Sequence, residues 1–185
     1  MYKKSILILS VIIILGGAIY LEGGRVKTLL YPRKYSMYVQ KYAKEYNLDE
    51  NLVYSIIKAE SKFKEDALSH RGAKGLMQIA DITKDWAIDE LDLSDDINIY
   101  DPETNIKIGC WYLSTLYKEF GNSDLVIAAY NGGSGNVKKW LKNDSYSKDG
   151  ENLYNIPFPE TDKYLNKVNK NYEQYKMLYS EEGRN

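Results

Sequence analysis

Residues 56–63 read IIKAESKF, and the reading of the whole chain turns on the glutamate in that stretch. Counted back from Glu60 at helical spacing, the same face carries Ile57, Ile56 and Val53, with Leu52 one repeat further. An apolar stripe of that period belongs to a helix packed on a core. A carboxylate aligned with it meets a low dielectric and, in the last turn of the helix, the partial negative charge of unpaired carbonyls. Both effects disfavour ionisation and raise the pKa. An acid still protonated near neutral pH is what glycosidic cleavage requires, because the leaving oxygen must receive a proton as its bond breaks. The competing reading turns Glu60 outward to pair with Lys64 at i, i+4.

The surrounding pattern is helical. Asp49 is placed to cap a helix over about 50–61, and Pro32 punctuates the entry to a preceding one over about 33–46. A polar, glycine-bearing stretch, KFKEDALSHRGAKG, then leads into LMQIADITKDWAI. In DPETNIKIGCWYLSTLYKEFGN, Asp101 reads as the cap, Pro102 as the first helical residue and Gly121 as the stop. Ser123 starts a helix through DLVIAAYN that ends at Gly132 and Gly133, GNVKKWLKN forms a short one, and a long helix follows Pro159. No strand pattern of useful length and no fixed repeat is present. The fold class expected is all-α, or nearly so.

A chain of 185 residues suits one domain with its own core. A net charge of -1 argues against nucleic acid as a partner, since there is no basic excess to displace counterions. With Cys110 as the single cysteine and His70 as the single histidine, no intramolecular disulfide and no histidine-cluster metal site can form. The 18 tyrosines bring flat amphipathic rings that suit sugar faces as well as core edges.

The start of the chain, MYKKSILILSVIIILGGAIYLEGG, places Lys3 and Lys4 before an apolar run from Ile6 to Leu21. As a helix that run spans roughly 24 Å, near the ~30 Å of a bilayer core. Gly16 and Ala18 are small enough for a signal peptidase, but no A-x-A box is present. The expectation is a cytoplasmic terminus at 1–4, a transmembrane signal-anchor at 5–21, a linker at 22–35 and an extracytoplasmic domain at 36–182. The alternative is a secreted species beginning near Ile19. Arg25, Lys27, Arg33 and Lys34 on the far side weaken the charge signal for that orientation.

Three stretches, AESKFKEDALSHRGAKGLMQI, AYNGG and PFPETDKYLNKV, in this order and at these separations, resemble the catalytic domain of the lytic transglycosylases, peptidoglycan-cleaving relatives of goose-type lysozyme. The similarity runs from about Tyr38 to Tyr175. It implies a lysozyme-like helical domain in which Glu60 is the catalytic acid. It further implies that Ser69 hydrogen-bonds near the acetamido group of the sugar and that Gly75 allows a close approach to the cleft wall. Gln78 would line the glycan cleft, Tyr130 and Asn131 would face the carboxyl and the substrate, and Tyr164 would point at the acid from the last helix. Asn105 and Gly109 fall on the family's Asn-x-x-x-Gly helix. Read singly, Ser69 and Gly75 are also ordinary loop residues, Gln78 an exposed polar residue, Tyr130 a core residue, and Asn131 part of a helix stop.

Ordinary glycosidases use two carboxylates, whereas the family resembled uses one. Asp66, Asp81, Asp85 and Glu160 stand at no position that the family uses catalytically. The implied reaction cleaves the bond between N-acetylmuramic acid and N-acetylglucosamine and leaves a 1,6-anhydro end, without cofactor or metal. The alternatives are a lysozyme-like hydrolase acting with water and a non-catalytic wall-binding module.

Overall fold

The protein is described here by a computed structural model covering residues 28–179. The expected cytoplasmic terminus, the membrane-directed run, the first part of the linker and the last residues of the domain lie outside the described residues. Among those described, no helix is long and apolar enough to cross a membrane.

The expected all-helical domain is present. Its elements are α1 (Ser36–Glu45), α2 (Glu50–Glu60), α3 (Asp81–Leu91), α4 (Pro102–Phe120), α5 (Ser123–Gly132), α6 (Ser134–Leu141) and α7 (Pro159–Tyr179). Extended pairing among the described residues is limited to isolated bridges of Lys74 with Leu68 and Ile79.

The punctuation works as the sequence suggests. The Asp49 carboxylate accepts from Asn51 N at 2.7 Å, and that of Asp101 accepts from Thr104 N at 2.9 Å behind Pro102. Gly121 closes α4 in the left-handed region at φ 67. The cap of α5 is supplied by Asn122, whose side chain accepts from Asp124 N at 2.9 Å, so Ser123 is the first helical residue. The first helix is shorter than its sequence pattern. Tyr35 sits at φ 57, and the Arg33 guanidinium pairs with Glu50 and lies over the rings of Tyr54 and Tyr179, so the chain before Ser36 packs across the domain. The apolar content of ADITKDWAI resolves into α3, which rests on α4.

The stripe on α2 is the centre of the core. Leu52, Val53, Ile56 and Ile57 are all at most 3 % exposed. Each contributes about 1.5–3 kcal/mol relative to an exposed position. α2 packs against α1 and α7, and α5 fills the space between α7, α4 and α6. Ile127, Ala128 and Ala129 on α5 and Val168 and Tyr175 on α7 are buried there. This arrangement brings the end of α2 against the start of α7.

The segment between α2 and α3 has little regular structure and depends on one side chain of α4. Asn105, fully buried, accepts from Met77 N at 2.7 Å and donates to Lys74 O at 3.0 Å and Ile99 O at 2.8 Å. Met77 in turn presses into α4 where Gly109 has no side chain; a Cβ there would lie 2.3 Å from the sulfur. Asn105→Ala should leave the buried Met77 N–H and Ile99 carbonyl without partners, while Lys74 O keeps its bond from Ile79 N, and lower stability on the order of 3 kcal/mol. A urea titration should show that loss as a lower midpoint with unchanged slope; an unchanged midpoint would mean that the segment holds itself.

Candidate active site

Glu60 is the last residue of α2. The residue is half-buried and its carboxyl is set below the surface, where burial pushes its pKa up to about 7. The Tyr164 hydroxyl and the Lys167 ammonium oppose that effect, and the Glu160 carboxylate adds to it. Lys64 is not among the groups acting on it, so the outward pairing that the sequence allows is not formed.

Tyr164 follows from the phase of α7. Thr161, Tyr164 and Val168 form its buried stripe at i, i+3 and i+7, and Tyr164 thereby meets the end of α2. Its hydroxyl is buried and, among the described residues, completes no hydrogen bond, although it stands close enough to Glu60 to favour the carboxylate. Burial and the nearby Glu60 hold the phenol well above the usual tyrosine range, so it stays neutral and available as a donor.

Tyr130, near the end of α5, is held the same way by burial and by Glu60. Its hydroxyl is committed to the Met77 carbonyl at 2.8 Å, which ties α5 to the segment before α3. Next to it, Asn131 Oδ1 accepts from Thr161 Oγ1 at 2.8 Å, linking α5 to the start of α7. These helices pass closely at Gly132, where a Cβ would stand 3.0 Å from the Thr161 hydroxyl and oblige it to shift.

Ser69, Gly75 and Gln78 share the loop opposite. The Ser69 hydroxyl accepts from Ala73 N at 2.9 Å, which leaves its own hydrogen free to donate. Gly75 has φ +77, and an added Cβ would come within 2.3 Å of Asn105 Nδ2, so both backbone conformation and space exclude a side chain. Gln78 also adopts the left-handed region, at φ 51. Its amide donates to Ala67 O at 3.1 Å and Gly75 O at 2.9 Å, leaving the carbonyl oxygen free to accept.

Three features escape a reading by pattern: the Thr161 support of Asn131, the reach of Lys167, and an aromatic wall beyond Tyr130. The Tyr130 ring lies 5.5 Å from Tyr112, and Trp86 meets Tyr112 at 6.3 Å and Trp111 at 4.8 Å. This wall borders a cavity of about 370 Å³ between α3, α4 and the start of α6, where Thr83, Thr115, Glu119 and Ser134 add polar groups. Neither Glu60 nor Tyr130 lines this cavity, which is joined to Tyr130 through the Tyr112 ring. Only the 42 % exposure of Trp86 distinguishes it from a core tryptophan, and no spacing rule signals that. Among the described residues no group of three or more His, Cys, Asp or Glu is placed to hold a metal ion, and Cys110 is buried.

Comparison with known proteins bears on the family and the fold. The family model described as "Transglycosylase SLT domain" matches residues 37–153. The soluble lytic murein transglycosylase of Escherichia coli (strain K12) is 34% identical over 143 residues, covering 75% of this chain and 22% of its own length. The membrane-bound lytic murein transglycosylase C of Haemophilus ducreyi is 31% identical over 167 residues, covering 77% of this chain and 46% of its own. The chain thus spans less than half the length of either relative. Among solved structures, the 70 kDa soluble lytic transglycosylase of Escherichia coli superposes with a TM-score of 0.72 at 28% identity over 85% of this chain and 27% of that one. An inactive mutant of the lytic transglycosylase Slt from Pseudomonas aeruginosa gives a TM-score of 0.71 at 27% identity over 84% of this chain and 27% of that one. By the match of its family model over most of the described domain, the chain belongs to the SLT transglycosylase domain family.

Proposed function

We propose that the protein is a membrane-anchored peptidoglycan lytic transglycosylase that cleaves the β-1,4 bond between N-acetylmuramic acid and N-acetylglucosamine and leaves a 1,6-anhydro-muramoyl end. The observation that carries this reading is the buried Glu60 carboxyl facing the Tyr164 hydroxyl with no second carboxylate free beside it among the described residues. Among the described residues the carboxylate that acts on it, Glu160, is 3.3 Å from Arg71 in an ion pair at the surface.

In the proposed reaction Glu60 gives its proton to the bridging oxygen as the C1–O bond breaks, and the acetamido oxygen of the same sugar supports C1. The carboxylate so formed then takes the proton of the C6 hydroxyl, whose oxygen bonds to C1 and releases the acetamido group. Atoms balance without water, and Glu60 ends protonated as it began. Ser69, with its hydroxyl hydrogen free, is suited to hold the acetamido oxygen, and the free carbonyl of Gln78 is suited to accept from a sugar hydroxyl. Tyr130, Asn131 and Tyr164 fix the wall that positions the ring. An attacking hydroxyl already held in place outcompetes water through its effective molarity.

The anchoring part of the proposal rests on the lysine-flanked run 6–21. It is supported by the membrane-bound name of the Haemophilus ducreyi relative. Cell fractionation should leave the full-length chain with the membrane; a soluble form whose N-terminus begins near Ile19 would overturn it.

Glu60 also makes stability depend on pH. Its acid is raised from 4.5 to about 7 in the folded protein, so between those values the folded state binds the extra proton. Stability therefore falls as pH rises from about 4.5 to 7, on the order of 3 kcal/mol for this group. Glu60→Gln removes that dependence. The variant should melt higher than the parent at pH 8 by more than it does at pH 4.5, while cleavage falls on the order of 10³-fold or more. Equal pH dependence in the two proteins would show that the carboxyl is not buried as described.

Mass spectra of digested peptidoglycan test the reaction itself. Products should lack one water relative to hydrolytic muropeptides and resist borohydride; mostly reducible ends would instead assign a lysozyme-like hydrolase.

A further inference from the structure

Lys167 lies one turn beyond Tyr164 on α7, on the edge of the face that meets α2. The residue is exposed overall, and its ammonium donates to the carbonyl of Ala59, the residue before Glu60. That carbonyl belongs to the last turn of α2, where no downstream amide is available to satisfy it and where the helix dipole is negative. A lysine there satisfies an orphan acceptor and offsets the dipole.

The charges facing Glu60 isolate its role. From α7 come Lys167, Glu160 and the neutral Tyr164, and from α5 the neutral Tyr130. Glu160 is paired with Arg71 from the segment between α2 and α3. On α2 itself, Lys58 turns the other way, donating to Leu30 O at 2.5 Å and lying over the Tyr31 ring. Lys167 is thus the cation that acts on the carboxyl among the described residues.

We propose that Lys167 is a positioning residue for the proton transfers at Glu60: anchored on the Ala59 carbonyl, its ammonium fixes the last turn of α2 and sets a positive charge beside the carboxyl. The geometry ties the general acid to the same helix that carries Tyr164, so the two move as one unit. Burial alone would leave the acid too reluctant to part with its proton, and the lysine offsets part of that reluctance. This inference rests on Glu60 being the acid of the proposed reaction.

The test compares the parent with Lys167→Gln, Lys167→Met and Lys167→Arg. Glutamine keeps a donor and loses the charge, methionine loses both, and arginine keeps both. Two readouts are taken: the pH profile of kcat/KM on peptidoglycan, and the titration of the Glu60 carboxyl carbon followed by NMR.

Without the positive charge the protonated acid persists to higher pH. The alkaline limb of the profile and the NMR inflection should both move upward by about 0.5 or more on the pH scale in the two neutral variants. Arginine should keep both near the parent. If both neutral variants keep the parent's inflection, or if both fail to fold, Lys167 serves structure alone and the proposal is overturned. If the parent does not cleave peptidoglycan, the functional reading fails, and the NMR titration still decides whether Lys167 governs Glu60.

Discussion

The end of α2 is held against the start of α7, and the two remaining walls of the site are arranged around that contact. One residue at the junction, Glu60, is placed where desolvation outweighs the hydroxyl and ammonium groups that favour its charge. Its hold on a proton up to about pH 7 is a property of the packing rather than of the residue type. It persists only while the stripe of Leu52, Val53, Ile56 and Ile57 keeps α2 seated and Val168 and Tyr175 keep α7 over it.

The loop side of the cleft has few regular hydrogen bonds of its own and is held by Asn105. Through Asn105 the long helix α4 fixes Lys74, Met77 and Ile99, and through Met77 it reaches the Tyr130 hydroxyl. Tyr130 then stands between the Glu60 carboxyl and an aromatic wall of Tyr112, Trp111 and Trp86. A buried asparagine with all three bonds made is costly to replace, because two of the partners it leaves, the Met77 N–H and the Ile99 carbonyl, are buried backbone groups. The same economy explains the two glycines that flank it: Gly75 makes room for the Asn105 side chain, and Gly109 makes room for Met77.

Much of the helix layout follows from local chemistry that a sequence displays. Asp49, Asp101 with Pro102, and Gly121 mark their ends by capping and backbone preference, effects confined to a turn or two. Departures arise where distant groups intervene. The helix α1 begins only at Ser36, where Arg33 is drawn to Glu50 and two tyrosine rings, and α3 draws its stability from packing on α4 rather than from a strong cap.

At the site, the apolar stripe leading to Glu60 was sufficient to single out a carboxyl set against its environment, since side-chain period and helix polarity are both written in the chain. Which direction that carboxyl takes was not, because outward pairing with Lys64 and inward burial fit the same spacing. The tertiary structure decided it by bringing Tyr164 and Lys167 to the end of α2 from more than a hundred residues away. It also decided that Tyr130 spends its hydroxyl on Met77, that Asn131 is braced by Thr161, and that Trp86 remains half-exposed at a cavity. Contacts between residues far apart in the chain have no periodic signature, because they depend on how helices cross and not on how each one is built.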